Sequence, residues 1–299
     1  MKDFQIGFIG QGWIGKNYAD NFESRGYRVV RYALEAPYNE NKDKIKDCSL
    51  VFMAVPTPTT TKEFNYRAVS SALEVVRTGA TVVIKSTLLP GTTHKLQNDF
   101  PNLFIMHSPE FLREKTAAYD AANPERNIIG IPKYTEEHIK RAGEALSVLP
   151  KAPFAKIMNA KEAELVKYAG NCFLYTKVTF MNMIYDLAQT TGANWEVVRE
   201  AMINDHRIGE SHTSPVHSSG HFDSGDYREE RGAGGHCFIK DFEGLKLLYK
   251  EYLGEDEGYR LLESNATYNL KLMRSTGKDP DLLKQVYVDW LSTAWYRRG

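Results

Sequence analysis

The segment Gly10-Gln11-Gly12-Trp13-Ile14-Gly15 constrains the fold more than any other feature of this 299-residue sequence. It lies between an apolar, β-capable run (residues 4–9) and a run whose larger apolar residues have helical spacing (residues 13–22). Glycines there permit a tight turn, close approach of a pyrophosphate and close packing of the helix on the strand. The helix N-terminus adds free N–H groups and positive potential. The pattern predicts dinucleotide binding by Gly10, Gly12, Trp13, Ile14 and Gly15, with a glycine-rich turn that binds nothing as the alternative.

Further runs rich in Val and Ile predict strands that are buried on both faces of a sheet. They are residues 28–32, 50–54, 81–84, 103–106 and 127–131. Helical patterns lie between them at 66–76 and 135–149. The alternation of strands and helices predicts an α/β fold, a Rossmann-like parallel sheet with helices on both faces, over residues 1–152.

The pattern changes near residues 150–153, after which strand signals nearly vanish. Helical patterns follow at 160–191, 195–204, 241–252, 259–274 and 280–290. Residues 209–235 are crowded with Gly, Ser, His and charged residues and predict a long loop. We therefore expect an all-α second domain over residues 153–299.

Composition excludes several classes of function. Lys+Arg 38 balance Asp+Glu 38, which argues against nucleic acid or an acidic membrane surface as a partner. The N-terminus lacks the regions of a signal peptide, and the apolar runs are far shorter than the ~20 residues of a membrane span. Three widely spaced cysteines form no disulfide framework. We expect a cytoplasmic protein without a membrane segment.

The end of the second strand bears on the choice of cofactor. An acidic residue normally binds the adenosine ribose there, but this sequence has Tyr32-Ala33-Leu34-Glu35. No Arg stands just beyond Ala33 to receive a 2′-phosphate, although Arg31 lies just before it. The sequence favours NAD over NADP.

Polar clusters follow three successive strands. Their members are Val55, Pro56 and Thr57, then Ser86 and Thr87, then Ser108 to Glu114 with Glu110, Phe111, Leu112 and Arg113. The carboxyl ends of parallel strands form the edge where open α/β sheets bind ligands. We expect a binding cleft at this edge, with Glu110 as an acid, a base or a water-holding group.

Two further groups carry chemistry in the helical half. Lys167 and Asn171 are four residues apart and share a helix face, so together they could stabilise one oxyanion, although a helical lysine more often only faces solvent. Cys237 follows Gly232-Ala233-Gly234-Gly235 at the expected start of a helix, which favours a nucleophilic thiolate. Asp241, four residues on, shares its face. Cys48 and Cys172 are interpreted as packing residues.

These motifs, in this order, resemble the UDP-glucose/GDP-mannose dehydrogenase family. The resemblance is carried by the glycine fingerprint, Val55-Pro56-Thr57-Pro58, Ser86-Thr87, Pro109-Glu110-Phe111-Leu112, Glu164-Leu165-x-Lys167-x-x-x-Asn171, Asp205-x-Arg207-Ile208-Gly209 and Gly234-Gly235-x-Cys237-x-x-Lys240-Asp241. It covers the chain from the first strand to about Arg274, and the Cys motif is the most diagnostic part.

The resemblance implies NAD-dependent oxidation of a nucleotide sugar, with UDP-glucose as the expected substrate, in polysaccharide biosynthesis. Cys237 would bind the sugar covalently, Lys167 and Asn171 would stabilise the oxyanion, and Asp241 would assist proton transfer. Glu110 and Thr87 would position a water. The further residues implied at the cofactor are Val55, Pro56, Thr57, Ser86, Thr87 and Glu114. The residues implied at the substrate are Phe111, Leu112, Arg113, Lys167, Asn171, Arg207 and Gly234. A homodimer through the long helix is also implied.

Family members carry a third, C-terminal domain for the substrate nucleotide, and we expect it to be missing here. Two alternatives stay open. One is a non-catalytic or regulatory nucleotide-binding protein on a reduced dehydrogenase scaffold, suggested by Ala33 and by the expected loss of that domain. The other alternative is a metal site formed by histidines of residues 206–236 beside Cys237. Our own expectation is that the protein binds no metal.

Overall fold

The computed structural model describes residues 5–216 and 230–287. The chain divides into two compact units. The first consists of Met1–Thr57 and Asn65–Lys167, and the second of Pro58–Phe64 and Tyr168–Gly299.

A seven-stranded sheet forms the centre of the first unit. Its strands are β1 (Gln5–Ile9), β2 (Arg28–Tyr32), β3 (Leu50–Met53), β4 (Thr81–Ile84), β5 (Phe104–His107), β6 (Arg126–Ile131) and β7 (Phe154–Asn159). They lie in the order β2-β1-β3-β4-β5-β6-β7. The first five pair in parallel, and every residue of β3 and β4 is buried. The predicted Rossmann-like sheet is confirmed.

The sheet departs from a purely parallel one at β6. This strand runs antiparallel to β5 through the pair His107 and Gly130, and β7 is parallel to β6. The connection that follows β5 stays at the edge where β5 ends. The chain therefore enters β6 from that edge and runs in the direction opposite to β5. Added to Gly130, a Cβ would lie 2.6 Å from the Cβ of Ala163, so this strand position needs glycine.

The helices of the first unit are α1 (Trp13–Ser24), α2 (Arg67–Leu73), α3 (Thr92–Asp99), α4 (Ala117–Ala122) and α5 (Glu136–Val148). Those of the rest of the described chain are α6 (Ala160–Thr191), α7 (Trp195–Ile203), α8 (Gly235–Leu253), α9 (Glu257–Thr276) and α10 (Pro280–Val286). None of these helices is long and apolar enough to cross a membrane. The predicted bounds of α6 agree with the structure. Helix α8 begins at Gly235, earlier than the apolar spacing from Asp241 predicts, and Cys237 lies in its first turn, as expected from the glycine run.

Three elements were not predicted, and the short helix α4 (Ala117–Ala122) is one of them. Helix α3 (Thr92–Asp99) has a polar sequence whose buried positions include Thr92, Thr93 and Gln97, so it lacks the apolar spacing of a helix. Strand β7 lies at the sheet edge, and most of its residues are exposed or half-buried. Of the predicted 209–235 loop, residues 217–229 lie outside the described part of the chain, as do residues 288–290 of the last predicted helix.

The boundary between the units differs from the expected 152/153. It falls at 167/168, because β7 pairs with β6 along its whole length, from Arg126 with Phe154 to Ile131 with Asn159. Residues 160–167, at the start of α6, also belong to the first unit. The strand pairing thus extends the sheet unit beyond the sequence signal.

Each unit has its own apolar core. In the first, the rings of Phe8, Phe22 and Phe52 lie 5.2–5.3 Å apart between the sheet and α1. In the second, Tyr175 of α6 stacks on Phe242 of α8 with centroids 3.9 Å apart. Aromatic pairs of this kind bury large areas and fix the register of the elements that carry them.

Glu164 of α6 caps helix α3 within the first unit. Its carboxylate accepts hydrogen bonds from the backbone N–H of Gly91 (2.6 Å) and Thr93 (2.8 Å) and from the Thr93 hydroxyl (2.6 Å). The side chain is fully buried. Burial raises the pKa of Glu164 to about 7, although the bonds from Thr93 and Gly91 act to lower it.

The raised pKa of Glu164 predicts a pH dependence of stability. The folded state holds a proton that the unfolded chain, where the carboxyl has its ordinary pKa of 4.5, releases. The contribution to stability is therefore greatest below pH 4.5 and is lost as pH rises toward 7. Between pH ~5 and ~7 the wild type should lose about 2 kcal/mol of unfolding free energy relative to Glu164→Gln, measured by urea denaturation.

The matched control is Glu162→Gln, an exposed carboxylate on the same helix, which should keep the wild-type pH profile. Parallel profiles for wild type and Glu164→Gln would contradict the prediction.

Candidate active site

The glycine turn after β1 has the geometry of a phosphate-binding turn. Gly10 has φ +88, and an added Cβ would lie 2.2 Å from the Ala54 carbonyl oxygen. At Gly15 it would lie 1.8 Å from the Gly10 oxygen. At Gly12, which precedes α1, it would meet nothing within 4 Å. Close packing therefore leaves no room for a side chain at Gly10 or Gly15. Gly12 instead leaves open space at a helix N-terminus, where a pyrophosphate fits.

A cavity of about 710 Å³ opens from this turn. It is lined by Gln11, Gly12, Trp13, Lys16, Asn17 and residues 115–119. Trp13 is half exposed there, and two lysines, Lys16 and Lys115, contribute positive charge. The cavity extends the anion-binding character of the turn along α1.

The end of β2 favours a cofactor without a 2′-phosphate. Arg31 lies 2.6 Å from Asp20 and 2.7 Å from Glu23, so its guanidinium is already paired with carboxylates of α1. Ala33 is buried, and Glu35 is exposed.

The loops after β3 and β4 are joined by Ser86. Its hydroxyl donates to the Val55 carbonyl oxygen (2.7 Å) and accepts from the Val55 N–H (2.9 Å). Thr57 is buried, Pro56 is exposed, and Thr87 is half-buried. The structure therefore brings the first two predicted polar clusters together at one sheet edge.

Glu110, in the loop after β5, is held by a buried lysine that sequence reasoning missed. The Nζ of Lys85 lies 3.1 Å from Glu110 Oε2, and the two side chains are only 3% and 7% exposed. The other carboxylate oxygen accepts the N–H groups of Phe111 (2.7 Å) and Leu112 (2.9 Å). The signal in the sequence is a lysine placed directly after the buried strand β4, since a buried charge needs a partner.

The charge of this pair affects its neighbours. Lys85 lies 4.2 Å from the centroid of the Tyr18 ring, and burial followed by the Glu110 charge raises the pKa of Tyr18 well above its usual value. Burial and the Lys85 charge lower the pKa of His107 to about 3, so its ring stays neutral.

Lys167 is buried and points to the same loop. Its Nζ donates to the Glu110 carbonyl oxygen at 2.6 Å. The expectation of a solvent-facing lysine therefore does not hold for Lys167. Among the other predicted residues of the 108–114 segment, Phe111 lies under the Arg126 guanidinium at 3.7 Å, and the exposed Arg113 pairs with Asp120. The side chain of Glu114 lies outside the described part of the structure.

In the second unit, Cys237 is exposed on the first turn of α8, four residues before the buried Asp241. The Asp241 carboxylate accepts from Asn171 Nδ2 at 2.6 Å and lies 2.5 Å from Lys240 Nζ. Burial would lower the pKa of Lys240, but the charge of Asp241 and then that of Cys237 raise it. In the second unit, the ammonium of Lys240 and the carboxylate of Asp241 thus lie on the helix that carries the thiol, and α6 contributes the amide of Asn171.

The other two cysteines are buried. Burial and the charge of Asp241 raise the pKa of Cys172, and burial raises the pKa of Cys48 to about 11. Neither thiol is suited to act as a nucleophile.

Two further predicted site residues, Gly234 and Arg207, differ in how closely they are surrounded by other atoms. Gly234 has no room for a side chain, since a Cβ would lie 2.2 Å from an Asp279 carboxylate oxygen. Arg207 is 80% exposed and forms a two-pronged pair with Asp205. Within residues 5–216 and 230–287, no group of three His, Cys, Asp or Glu side chains could hold a metal ion; His217 and His221 lie outside these ranges.

Comparison with known families agrees with both units. The model of the UDP-glucose/GDP-mannose dehydrogenase family, NAD binding domain, matches residues 32–146. The model of the same family's central domain matches residues 161–270. The chain belongs to this family. The cofactor of the first unit is accordingly NAD.

Individual relatives support the same assignment. The UDP-glucose 6-dehydrogenase of Rhizobium meliloti is 30% identical over 79% of this chain and 53% of its own length. A UDP-glucose dehydrogenase from Pyrobaculum islandicum has a TM-score of 0.74 at 26% identity, covering 90% of this chain and 68% of that chain. The UDP-D-ManNAc dehydrogenase of Pyrococcus horikoshii, at 23% identity and a TM-score of 0.72, shares the fold. The chain spans about half the length of the curated relatives it matches.

The different surroundings of the glycines predict different effects of an added methyl group. Gly12→Ala should fold with a melting temperature near that of the wild type, because its Cβ meets no atom within 4 Å. It should weaken NAD binding at least ~10-fold, because the methyl group occupies the space of the pyrophosphate. Calorimetric titration with NAD and thermal melting measure the two effects.

Gly15→Ala is the matched control for packing. It should lower the melting temperature clearly, since its Cβ would overlap the Gly10 carbonyl oxygen. Unchanged NAD affinity in Gly12→Ala would contradict the assignment of this turn to the cofactor.

Proposed function

We propose that this chain oxidises the primary alcohol of a UDP-sugar to the uronic acid with NAD, through covalent attachment to Cys237, and that UDP-glucose is the substrate. The observation that carries the proposal is the exposed Cys237 on the first turn of α8, on the same helix as the Lys240–Asp241 pair. Its setting in a family of nucleotide-sugar dehydrogenases, several of them named for UDP-glucose, supports the choice of substrate.

The chemistry balances as two oxidations followed by a hydrolysis. In each oxidation the sugar carbon would give a hydride to a bound NAD, one molecule for each step, and the adjacent hydroxyl would lose its proton to solvent. The first oxidation converts the alcohol into an aldehyde, and the Cys237 sulfur then adds to the carbonyl carbon to form a thiohemiacetal. Loss of the second hydride leaves a thioester. Water adds to the thioester, the C–S bond breaks, and the carboxylate leaves while the thiol is restored.

The polar residues have proposed roles in these steps. Lys167 and Asn171 stabilise the oxyanion that forms when the thiol or water adds to the carbonyl carbon. Asp241 assists proton transfer. The hydrogen bond of Asn171 to Asp241 supports this division, because it orients the amide and places the carboxylate between two donors.

Glu110, with Thr87, is proposed to position the hydrolytic water. One oxygen of Glu110 accepts two backbone N–H groups, whereas Oε2 is buried beside the Lys85 ammonium, and the Tyr18 side chain also interacts with this carboxylate. A carboxylate oxygen has two lone pairs, so Oε2 can still accept a bond from water. This arrangement supports a water-holding role over that of a freely moving acid.

Substrate contacts are proposed for Phe111, Leu112, Arg113, Arg207 and the backbone of Gly234. The two guanidinium groups support this role, since Arg113 and Arg207 are exposed and each is paired with a carboxylate, Asp120 or Asp205, that a phosphate could replace.

We also propose a homodimer through α6. In the second unit this helix exposes Phe173, Phe180, Met183 and Leu187. Their spacing of seven, three and four residues is that of a stripe that packs against another helix. A second copy of this chain, with the same stripe, is the proposed occupant.

The homodimer is tested by Phe180→Lys, which places a charge in the stripe. It should shift the molecular mass measured by light scattering from dimer to monomer. Leu261→Lys, which adds the same charge at a position of α9 that is 71% exposed, should leave the dimer intact. A monomeric wild type would contradict the proposal.

The role of Cys237 is tested by product stoichiometry. Wild-type protein incubated with UDP-glucose and NAD should form two NADH per sugar, followed by absorbance. Cys237→Ala should form no uronic acid and at most one NADH per sugar, since only the first oxidation proceeds without a thiol. Cys48→Ala, which removes a buried thiol, should keep the ratio of two.

Other UDP- and GDP-sugars extend this measurement. Turnover with another sugar but not with UDP-glucose would contradict the choice of UDP-glucose as the substrate. NAD binding without turnover of any sugar would contradict the enzymatic function.

A further inference from the structure

The loop that precedes Cys237 is rich in glycine, and glycine is costly to hold in one conformation. This glycine loop, residues 232–235, contains three glycines, and Gly232 and Gly235 have φ +90 and +82. Glycine loses more conformational entropy on folding than any other residue. Holding such a loop in one conformation therefore needs contacts from outside it.

Those contacts come from α9 and from the two residues that precede α10. The side chain of Asn269 accepts from the Ala233 N–H (2.7 Å) and donates to the Ala233 carbonyl oxygen (3.0 Å). The Nζ of Lys278 donates to the Gly232 carbonyl oxygen at 3.0 Å. A carboxylate oxygen of Asp279 accepts from the Gly235 N–H at 2.7 Å. Three side chains thus bind three of the four loop residues.

All three binding side chains are buried. Asn269 is 1%, Lys278 0% and Asp279 6% exposed. Burial lowers the pKa of Lys278 to about 8, against the opposing charge of Asp279. A buried lysine and a buried carboxylate are costly unless they bind polar partners. The loop carbonyl and N–H groups are among those partners.

The loop and the side chains are complementary in shape. A Cβ at Gly232 would lie 2.9 Å from the Asn269 Oδ1, and one at Gly234 would lie 2.6 Å from Lys278 Cε. Asp279 itself has φ +47, a left-handed conformation that Asp and Asn tolerate better than most residues. Gly232 and Gly234 are therefore required by the approach of these side chains, whereas Gly235 is favoured by its positive φ.

We propose that Asn269, Lys278 and Asp279 are positioning residues for Cys237. They bind the glycine loop, which fixes the first turn of α8 and so places the thiol in one orientation. The consequence for catalysis rests on the proposed role of Cys237: a nucleophile held in one geometry attacks faster than one on a mobile loop. None of the three belongs to the motifs identified in the sequence.

The experiment compares the alkylation of the three thiols by iodoacetamide in the folded protein at neutral pH, mapped by mass spectrometry. In the wild type, Cys237 should react, while the buried Cys48 and Cys172 should not. In Asp279→Ala, the rate at Cys237 should rise roughly threefold, because the loop loosens and a carboxylate leaves the helix N-terminus. Cys48 and Cys172 should stay protected, which excludes global unfolding as the cause.

Asp281→Ala is the matched control, since this exposed carboxylate of α10 pairs with Lys284 on its own helix. It should leave the rate at Cys237 unchanged. If Asp279→Ala labels all three thiols, Asn269→Ala, which removes two hydrogen bonds to the loop and leaves the charge unchanged, becomes the deciding variant. A rise confined to Cys237 supports the proposal. An unchanged rate at Cys237, or labelling of all three thiols in both variants, overturns it.

A second readout is turnover of the sugar. Asp279→Ala should lower kcat for acid formation while KM and NAD affinity stay unchanged, and Asp279→Asn should restore part of kcat. Faster alkylation with slower turnover is the signature of a positioning role. If the wild type does not turn over any sugar, the proposed function fails, but the alkylation rates still decide whether these residues position the thiol.

Discussion

The buried ion pair between Lys85 and Glu110 organises the carboxyl edge of the sheet in the first unit. Breaking such a pair by removing one partner typically costs about 3–5 kcal/mol, because the remaining charge is left buried and unpaired. The pair fixes the loop after β5. In this loop, the Glu110 carbonyl oxygen accepts a hydrogen bond from the Lys167 ammonium, and the Glu110 carboxylate accepts hydrogen bonds from the N–H groups of Phe111 and Leu112. Four predicted site residues of this unit, Glu110, Phe111, Leu112 and Lys167, thus depend on this one interaction.

In the second unit, buried side chains fix the glycine-rich loop that precedes the thiol of Cys237. The carboxylate of Asp241 is buried between Asn171 and Lys240, and the loop before Cys237 is bound by side chains from the far end of the helical segment. The sequence distance between the loop and its partners, such as Asn269, is long, so the local chain could not provide this order. Both units therefore use buried charges to fix loops.

The two family models together match most of the chain, one in each unit, although the chain spans about half the length of its curated relatives. Most of the motifs that carry the resemblance occupy loops at strand ends and helix starts, and the motif of residues 164–171 lies within α6. Scaffold elements such as α3 and β7 carry few of them. This division is expected where chemistry is carried by loops on a rigid framework.

Sequence alone determined the glycine turn, six of the seven strands, the bounds of α6 and the family, because these depend on local spacing of apolar residues and on short ordered motifs. Tertiary structure decided what depends on pairing between distant segments. Strand β7 exists because β6 pairs with it, and polar α3 is capped by Glu164 from α6. The position of Lys85 directly after a buried strand signals that it needs a partner, but the local sequence identifies the partner of neither Lys85 nor Asp279. Their roles follow from charges that are buried against partners far along the chain, which no local pattern records.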